Sequence, residues 1–128
     1  MVHIWPILWV GAGGFIGSVL RYALAGLVHR LIPFAAFPYG TLAVNVTGCL
    51  AIGILGGISD GRQTVGPDLR LFLLIGVLGG FTTFSTFGHE TLALARDGEY
   101  LKASANVLLQ VTVGLTAVWL GYGAGRLR

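Results

Sequence analysis

Charged residues are scarce in this sequence: 8 Lys and Arg and 5 Asp and Glu occur among 128 residues, or 10%. Soluble domains carry about 25% charged residues, so the composition excludes an ordinary soluble domain. The 55% hydrophobic content also excludes intrinsic disorder, which requires low hydrophobicity and high charge. Cys49 is the single cysteine, so a disulfide within the chain and a cysteine-based metal site are excluded.

Long uncharged stretches are what the sequence has instead. They cover residues 4–20, 31–59, 71–88 and 103–125, each close to the roughly 17–25 residues that a helix needs to cross a bilayer. Only helices or closed barrels satisfy the backbone in lipid, and these runs lack the alternation of a barrel. The sequence therefore predicts an all-α membrane protein, residues 1–128 forming one domain with helices at about 4–29, 39–58, 69–95 and 100–124.

Glycine recurs at helical spacing. Four pairs are separated by three residues, namely Gly13 and Gly17, Gly53 and Gly57, Gly76 and Gly80, and Gly121 and Gly125. Such pairs let helix backbones approach closely in lipid. They predict tight helix packing, and four short helices with little interior of their own predict oligomerisation.

The Lys and Arg residues are balanced between the two sides of the predicted bundle. One side holds Arg62, Arg70, Arg126 and Arg128, and the other holds Arg30, Arg96 and Lys102, with Arg21 one or two turns deeper. Orientation normally follows an excess of positive charge on one side. The balance predicts insertion in both orientations, unless a feature other than charge selects one.

Catalytic and nucleotide-binding patterns are not indicated. The glycines at 11–17 resemble a dinucleotide fingerprint but have the wrong spacing and no preceding strand. The three histidines are scattered, and Glu90 is the only carboxylate close to an apolar run. We expect no enzyme activity and no nucleic-acid partner.

The most informative stretch lies in the middle of the third predicted helix and reads GGFTTFSTF from Gly79 to Phe87. Glycine costs about 1 kcal/mol relative to alanine in a helix interior, and Ser and Thr offer competing backbone bonds. A helix broken at Gly79–Thr83 would expose carbonyl oxygens that suit a cation such as Na⁺. The positive ring edges of Phe84 and Phe87 suit an anion. The alternative is a Phe-rich packing face whose hydroxyls bond back to the helix.

Two further polar residues lie deep in the predicted spans. Asn45 can offer an amide N–H to an anion, or it can join two helices by a hydrogen bond. Arg21 is a candidate for function, or it is an anchor that reaches the membrane surface.

Together these residues resemble the small bacterial fluoride channel family (Fluc/CrcB). The matching pieces are Gly-Gly-x-x-Gly-x-x-x-Arg from Gly13 to Arg21, Gly-Thr-Leu from Gly40 with Asn45, the motif from Gly79 to Phe87, and Glu90. The resemblance implies a fluoride-selective channel that exports fluoride passively and protects the cell from it. It further implies an antiparallel dual-topology homodimer in the bacterial inner membrane, in contact with lipid.

The same resemblance implies the site residues. Phe84, Phe87, Asn45 and Ser85 correspond to the pore, Thr41 to a hydroxyl near its entrance and Arg21 to a vestibule arginine. Backbone carbonyls of Gly79 and Thr82 correspond to a structural Na⁺ site at the dimer interface. Glu90 corresponds to an acidic residue that follows the motif. The family's fourth helix usually supplies a polar track, for which Asn106, Gln110 and Thr112 are available. Gly114 stands where some relatives carry a hydroxyl.

Two other classes are weighed against this one. A small four-helix proton-coupled multidrug exporter needs a carboxylate at membrane depth in the first helix, and residues 2–20 contain none. A non-transporting assembly subunit leaves the hydroxyl-rich motif unexplained.

Overall fold

Four helical spans account for most of the chain. The computed structural model describes residues 4–60 and 65–127, and the spans are Ile4–Leu31, Tyr39–Ser59, Pro67–Arg96 and Tyr100–Arg126. Each is long and apolar enough to cross a membrane, which confirms the predicted all-helical membrane fold. The helices extend one to two residues beyond the predicted ends, and the third also begins two residues early because Pro67 suits a first helical turn.

The first two spans and the last are single α-helices, whereas the third is composite. We name the helices α1 (Ile4–Leu31), α2 (Tyr39–Ser59), α3 (Pro67–Arg70), α4 (Gly79–Phe81), α5 (Phe84–Arg96) and α6 (Tyr100–Arg126). A π-helical segment, Leu71–Leu78, joins α3 to α4. Between α4 and α5, Thr82 and Thr83 are extended, with ψ angles of 156° and 116°.

The interruption is shorter than the predicted one, because Gly79–Phe81 is helical. The amide of Thr82 still donates to the carbonyl of Leu78 at 3.0 Å. The helical hydrogen-bond pattern ends at the next residue, where the amide of Thr83 donates to the side chain of Asn45 in α2 instead. Gly80 therefore serves packing, since a Cβ there would lie 3.0 Å from the Cα of Gly14, and the threonines carry the interruption.

Glycine contacts confirm the packing role predicted from their spacing. Gly13 and Gly17 of α1 face the third span, where a Cβ built on Gly13 would lie 2.9 Å from the Cα of Gly76. Gly57 of α2 faces α6 in the same way, with a built Cβ 3.0 Å from the Cα of Gly125. Real side chains do not approach so closely, so each pair of helices packs backbone against backbone.

The connections fix the ends of the bundle. The turn between α5 and α6 is tight: Gly98 adopts a positive φ of 77°, and the amide of Glu99 donates to the carbonyl of Leu94. That φ favours glycine. Arg62 and Arg128 of the charge count lie outside the described residues.

Little of the surface is buried within one chain. Between 11% and 22% of the residues in the apolar windows of the four spans are buried. Val44 and Asn106 are the largest fully buried side chains in the described part of the protein, and one of them is polar. The polar one belongs to a cluster between α2, α5 and α6.

Candidate functional site

Thr83 is the residue around which the interrupted span is organised. Its side-chain oxygen caps α5 by accepting a hydrogen bond from the amide of Thr86 at 3.3 Å. The same hydroxyl donates to Thr86 Oγ1 at 3.1 Å and lies 3.2 Å from Ser85 Oγ. Threonine is a favoured residue at this capping position, so the sequence of the motif itself allows the helix to restart at Phe84.

Asn45 of α2 binds the extended backbone from the side. Its Oδ1 accepts from the amide of Thr83 at 2.9 Å, and its Nδ2 donates to the carbonyl of Thr83 at 3.1 Å. The side-chain amide thus replaces the peptide partners that an uninterrupted helix would supply. Nδ2 also donates to Gln110 Oε1 of α6 at 3.1 Å, so both of its hydrogens are engaged.

Of the two functions that the sequence left open for Asn45, the structure shows the hydrogen bond that joins two helices. The residue also borders the cavity in which the polar and aromatic residues meet. Its own N–H groups are directed to protein acceptors.

Phe84 and Phe87 form an aromatic pair next to this amide. Their ring centroids lie 5.4 Å apart with planes tilted by 57°. Both rings line a cavity of about 440 Å³ together with Asn45, Gln110 and Thr83. Phe84 is 81% exposed in the single chain, whereas Phe87 is half-buried.

Glu90 and Thr41 both line a second, wider cavity. The buried hydroxyl of Thr41 donates to Glu90 Oε1 at 2.7 Å. The cavity has a volume of about 1100 Å³ and opens between α1, the loop to α2 and α5. His29, Arg30 and Asp97 also line it, so several ionisable groups border this cavity. Arg21 is half-buried on α1 and lines neither cavity, although its neighbour Tyr22 lines the wider one.

The three predicted polar residues of α6 have different surroundings. Asn106 is fully buried and donates to Thr91 Oγ1 at 2.9 Å, while Gln110 accepts from Asn45. Thr112 is exposed, bonds to the carbonyl of Leu108 in its own helix and is not brought to the cluster. Gly114 is buried near Cys49, where a built Cβ would lie 3.5 Å from Sγ.

Three buried polar atoms lack a hydrogen-bond partner in the described part of the chain: Glu90 Oε2, Asn106 Oδ1 and Gln110 Nε2. Buried polar groups are normally hydrogen-bonded. Their concentration between α2, α5 and α6 distinguishes this region from ordinary apolar packing between membrane helices.

Gly48 and Thr91 belong to the site and were missed by sequence reasoning. A Cβ on Gly48 would collide with Thr82 Cγ2, so this glycine makes room for the extended segment. Thr91 accepts from Asn106 and donates to the carbonyl of Phe87 at 2.8 Å. A glycine inside an apolar run, one turn after Asn45, is the signal that could have identified Gly48.

An interrupted span beside an uncharged cavity of amides, hydroxyls and aromatic rings defines a multi-pass membrane protein with the elements of an ion pathway. Residues 8–122 match the family described as CrcB-like protein, Camphor Resistance (CrcB). The chain belongs to this family.

Curated relatives resemble almost the whole chain. A protein of Nitratidesulfovibrio vulgaris named fluoride-specific ion channel FluC is 48% identical over 94% of this chain and 97% of its own. Proteins of the same name from Methylobacillus flagellatus and Geotalea daltonii are 44% and 48% identical, over 93% and 94% of this chain. The matched regions cover 93% and 96% of those two relatives, respectively.

Proposed function

We propose that this chain forms a fluoride-selective channel through which fluoride leaves the cytoplasm passively, protecting the cell from its toxicity. The interrupted third span carries the proposal, because it sets the Phe84–Phe87 pair beside hydrogen-bonding amides without a formal charge. The names of the similar proteins support fluoride as the ion and do not favour a proton-coupled drug exporter.

Fluoride recognition at this cavity follows from the groups that border it. A channel must replace the hydration shell of its ion with fixed partners. The positive edges of the two aromatic rings are such partners for an anion. We assign the same role to the hydroxyl of Ser85, which follows Phe84 on the first turn of α5. Because none is a full charge, the anion is attracted without being held permanently.

The wider cavity is the proposed vestibule of the same pathway. Thr41 and Glu90, which are hydrogen-bonded to each other, line it together with Arg30. A cationic side chain concentrates anions locally. We assign Arg21 to this side of the membrane as well, since it lies next to a residue that lines the cavity.

A second copy of the chain is part of the proposal. Phe84 is 81% exposed, and the neighbouring Ser85 and Thr86 are exposed with it. Hydroxyls at membrane depth need protein or water around them, so this surface is suited to another copy rather than to lipid. The balanced positive charges support an antiparallel, dual-topology homodimer in the bacterial inner membrane, with its outer helices in lipid.

The backbone at the interruption fits a structural Na⁺. In a continuous helix the amides of Thr83 and Thr86 would donate to the carbonyls of Gly79 and Thr82. Here they donate to Asn45 Oδ1 and Thr83 Oγ1 instead. The carbonyls of Gly79 and Thr82 are thus released to hold the ion, which supplies positive charge that stabilises the interruption.

Fluoride efflux from liposomes tests the function. Purified protein is reconstituted into vesicles loaded with potassium fluoride, and external fluoride is followed with an electrode after valinomycin is added. We expect rapid efflux from protein-containing vesicles and none from empty ones, with far slower chloride release in parallel. Fluoride retention, combined with proton-driven uptake of a cationic dye, would identify an exporter instead.

A further inference from the structure

We propose that Phe34 anchors the loop between α1 and α2 in the phospholipid bilayer, at the boundary between headgroups and acyl chains. This loop covers residues 32–38 and carries no charged side chain. The anchoring role does not depend on which ion the protein conducts, because it concerns only the end of a membrane-spanning helix.

Phe34 has an unusual backbone conformation. Its φ angle is 65°, and it is the only non-glycine residue with a positive φ in the described part of the chain. Pro33 precedes it, and a turn in which a positive φ follows proline normally has glycine or asparagine at that position. A bulky side chain in this conformation is strained, and such strain persists only where the surroundings hold it.

Within the single chain, the ring of Phe34 is not covered. Phe34 is 100% exposed, whereas Phe37 of the same loop is half-buried and its ring centroid lies 4.8 Å from that of Tyr39. Residues 35–38 line the wider cavity, and Phe34 does not. The ring therefore lies outside this cavity, and the group that stabilises it belongs to the surroundings of the chain.

The level of the loop along the helix axis favours lipid as that surrounding group. Helix α1 ends at Leu31, and His29 and Arg30 are exposed in its last turn. Cationic side chains near the ends of membrane helices reach the headgroup level of the bilayer. Phe34 follows Arg30 by four residues, so its ring lies close to that level.

The apolar surface at Phe34 continues from the helix. Leu31 and Ile32 are exposed as well, and neither lines a cavity in the described part of the chain. Exposed aromatic and aliphatic side chains next to cationic ones are typical of segments that lie in the membrane interface. Burial of the ring among acyl chains compensates for the strained turn, while residues 35–38 stay at the cavity.

Electron paramagnetic resonance of the full chain in vesicles tests where this side chain lies. Cys49 is the single cysteine, so Cys49→Ala with Phe34→Cys carries one nitroxide label at the turn. Oxygen concentrates among acyl chains and a nickel chelate in water, and the ratio of their relaxation effects measures depth. We expect the label at position 34 to resemble that of a lipid labelled near the top of its acyl chain.

Glu99→Cys in the same background is the matched control. Glu99 is exposed next to Asp97, which lines the wider cavity together with residues 35–38, so both turns lie at the same end of the bundle. We expect the oxygen-to-nickel ratio at position 34 to exceed that at position 99 about fivefold or more. Equal ratios would place Phe34 in water, and a label at position 34 that neither reagent reaches would show that protein covers it; either result would overturn the anchor.

Hydrogen exchange of the protein in lipid nanodiscs provides the second test. Phe34→Asn keeps a residue that tolerates a positive φ and removes the apolar ring. If backbone strain alone mattered, this change would slow amide exchange in residues 34–37 or leave it unchanged. We expect exchange there to accelerate about threefold or more, because the loop is released from lipid, and to stay as in wild type in Phe34→Trp, which keeps an interfacial aromatic ring.

Exchange in α5 (Phe84–Arg96) should be the same in all three proteins, which establishes that the fold is retained. Slower or unchanged exchange of the loop in Phe34→Asn would refute the anchor. Both experiments are carried out without fluoride, so a failure of the proposed function would not alter either result.

Discussion

At the residue scale, Phe84 and Phe87 differ in exposure, unlike two residues that pack from one face of a helix. One ring is largely exposed and the other half-buried, yet both border the same cavity and touch each other. An exposed ring in a membrane span is unremarkable against lipid, but here its neighbours Ser85 and Thr86 carry hydroxyls. The surface is therefore mixed, as expected for the wall of a hydrated pathway.

Replacing either ring tests this assignment. We expect Phe84→Ile or Phe87→Ile to lower fluoride flux at least about tenfold, equivalent to about 1.4 kcal/mol in the barrier, because isoleucine keeps apolar bulk and loses the positive ring edge. Vesicle efflux measures the effect. Phe15→Ile is the control, since Phe15 is 72% exposed on α1 and lines neither cavity. Wild-type flux in both variants would show that the two rings serve packing and not ion conduction.

At the element scale, the fold is built from two close helix pairs joined by hydrogen bonds. Glycines bring α1 against the third span and α2 against α6. Between the pairs, the amide of Asn45 ties α2 to the interruption of the third span. Its bond to Gln110 lies within the α2–α6 pair. Van der Waals contact and interhelical hydrogen bonds are the forces that hold helices together in lipid, and the α2–α6 pair uses both.

Gly57 allows the glycine contact to be tested. A methyl group at Gly57 would collide with the carbonyl of Tyr122, whereas one at Gly123, on the facing helix, would meet nothing within 4 Å. We expect Gly57→Ala to lower the midpoint of thermal unfolding in detergent, followed by circular dichroism, because the helices must separate. Gly123→Ala should unfold at or above the wild-type temperature, since alanine is favoured over glycine in a helix by about 0.5–1 kcal/mol.

Equal stability of the two variants would show that the close backbone approach contributes nothing to the fold.

Sodium dependence tests the interruption in the third span. Because the carbonyls of Gly79 and Thr82 lose their helical donors, we expect removal of Na⁺ to destabilise the interruption. Exhaustive dialysis into a large organic cation, present on both sides of the vesicles, should lower fluoride flux about tenfold or more, about 1.4 kcal/mol in the barrier. Returning Na⁺ should restore it. Flux that is indifferent to the exchange would argue against a cation at these carbonyls.

At the scale of the whole molecule, one chain leaves its pathway open on one side. The site includes residues that are exposed in the single chain, namely Phe84, Ser85 and Thr86. Gly79 is exposed as well, and a Cβ there would meet only the carbonyl of Leu74 at 3.9 Å. In the proposed dimer, a second copy would cover these exposed positions of the third span.

Topology is the property that this arrangement predicts most directly. We expect C-terminal tags to be found on both sides of the membrane in comparable amounts, because the Lys and Arg residues are balanced. Arg96→Ser with Lys102→Ser removes positive charge from one side. This double variant should insert in one orientation and lose fluoride flux when expressed alone.

Restored flux on co-expression with a chain biased to the opposite orientation completes that test. Tags of the wild-type chain on one side only would refute the antiparallel dimer.

The sequence alone determined the four spans, because hydrophobicity over a membrane thickness and hydrogen bonding within a helix are local properties. It also determined which residues pack closely, since glycines three apart must lie on one helix face. The tight turn at Gly98 and the capping threonine at position 83 were likewise set by their own chemistry.

Only the tertiary structure decided where helical geometry stops and which amide remains free. The glycines of the motif suggested an interruption beginning at Gly79, yet those residues stay helical until Asn45 takes the amide of Thr83. Asn45 and Thr83 are 38 residues apart in the chain, and Asn45 and Gln110 are 65 apart. Because such bonds exist only once α2, α5 and α6 have packed, no local pattern could show that Asn45 is engaged and Gln110 Nε2 unpartnered.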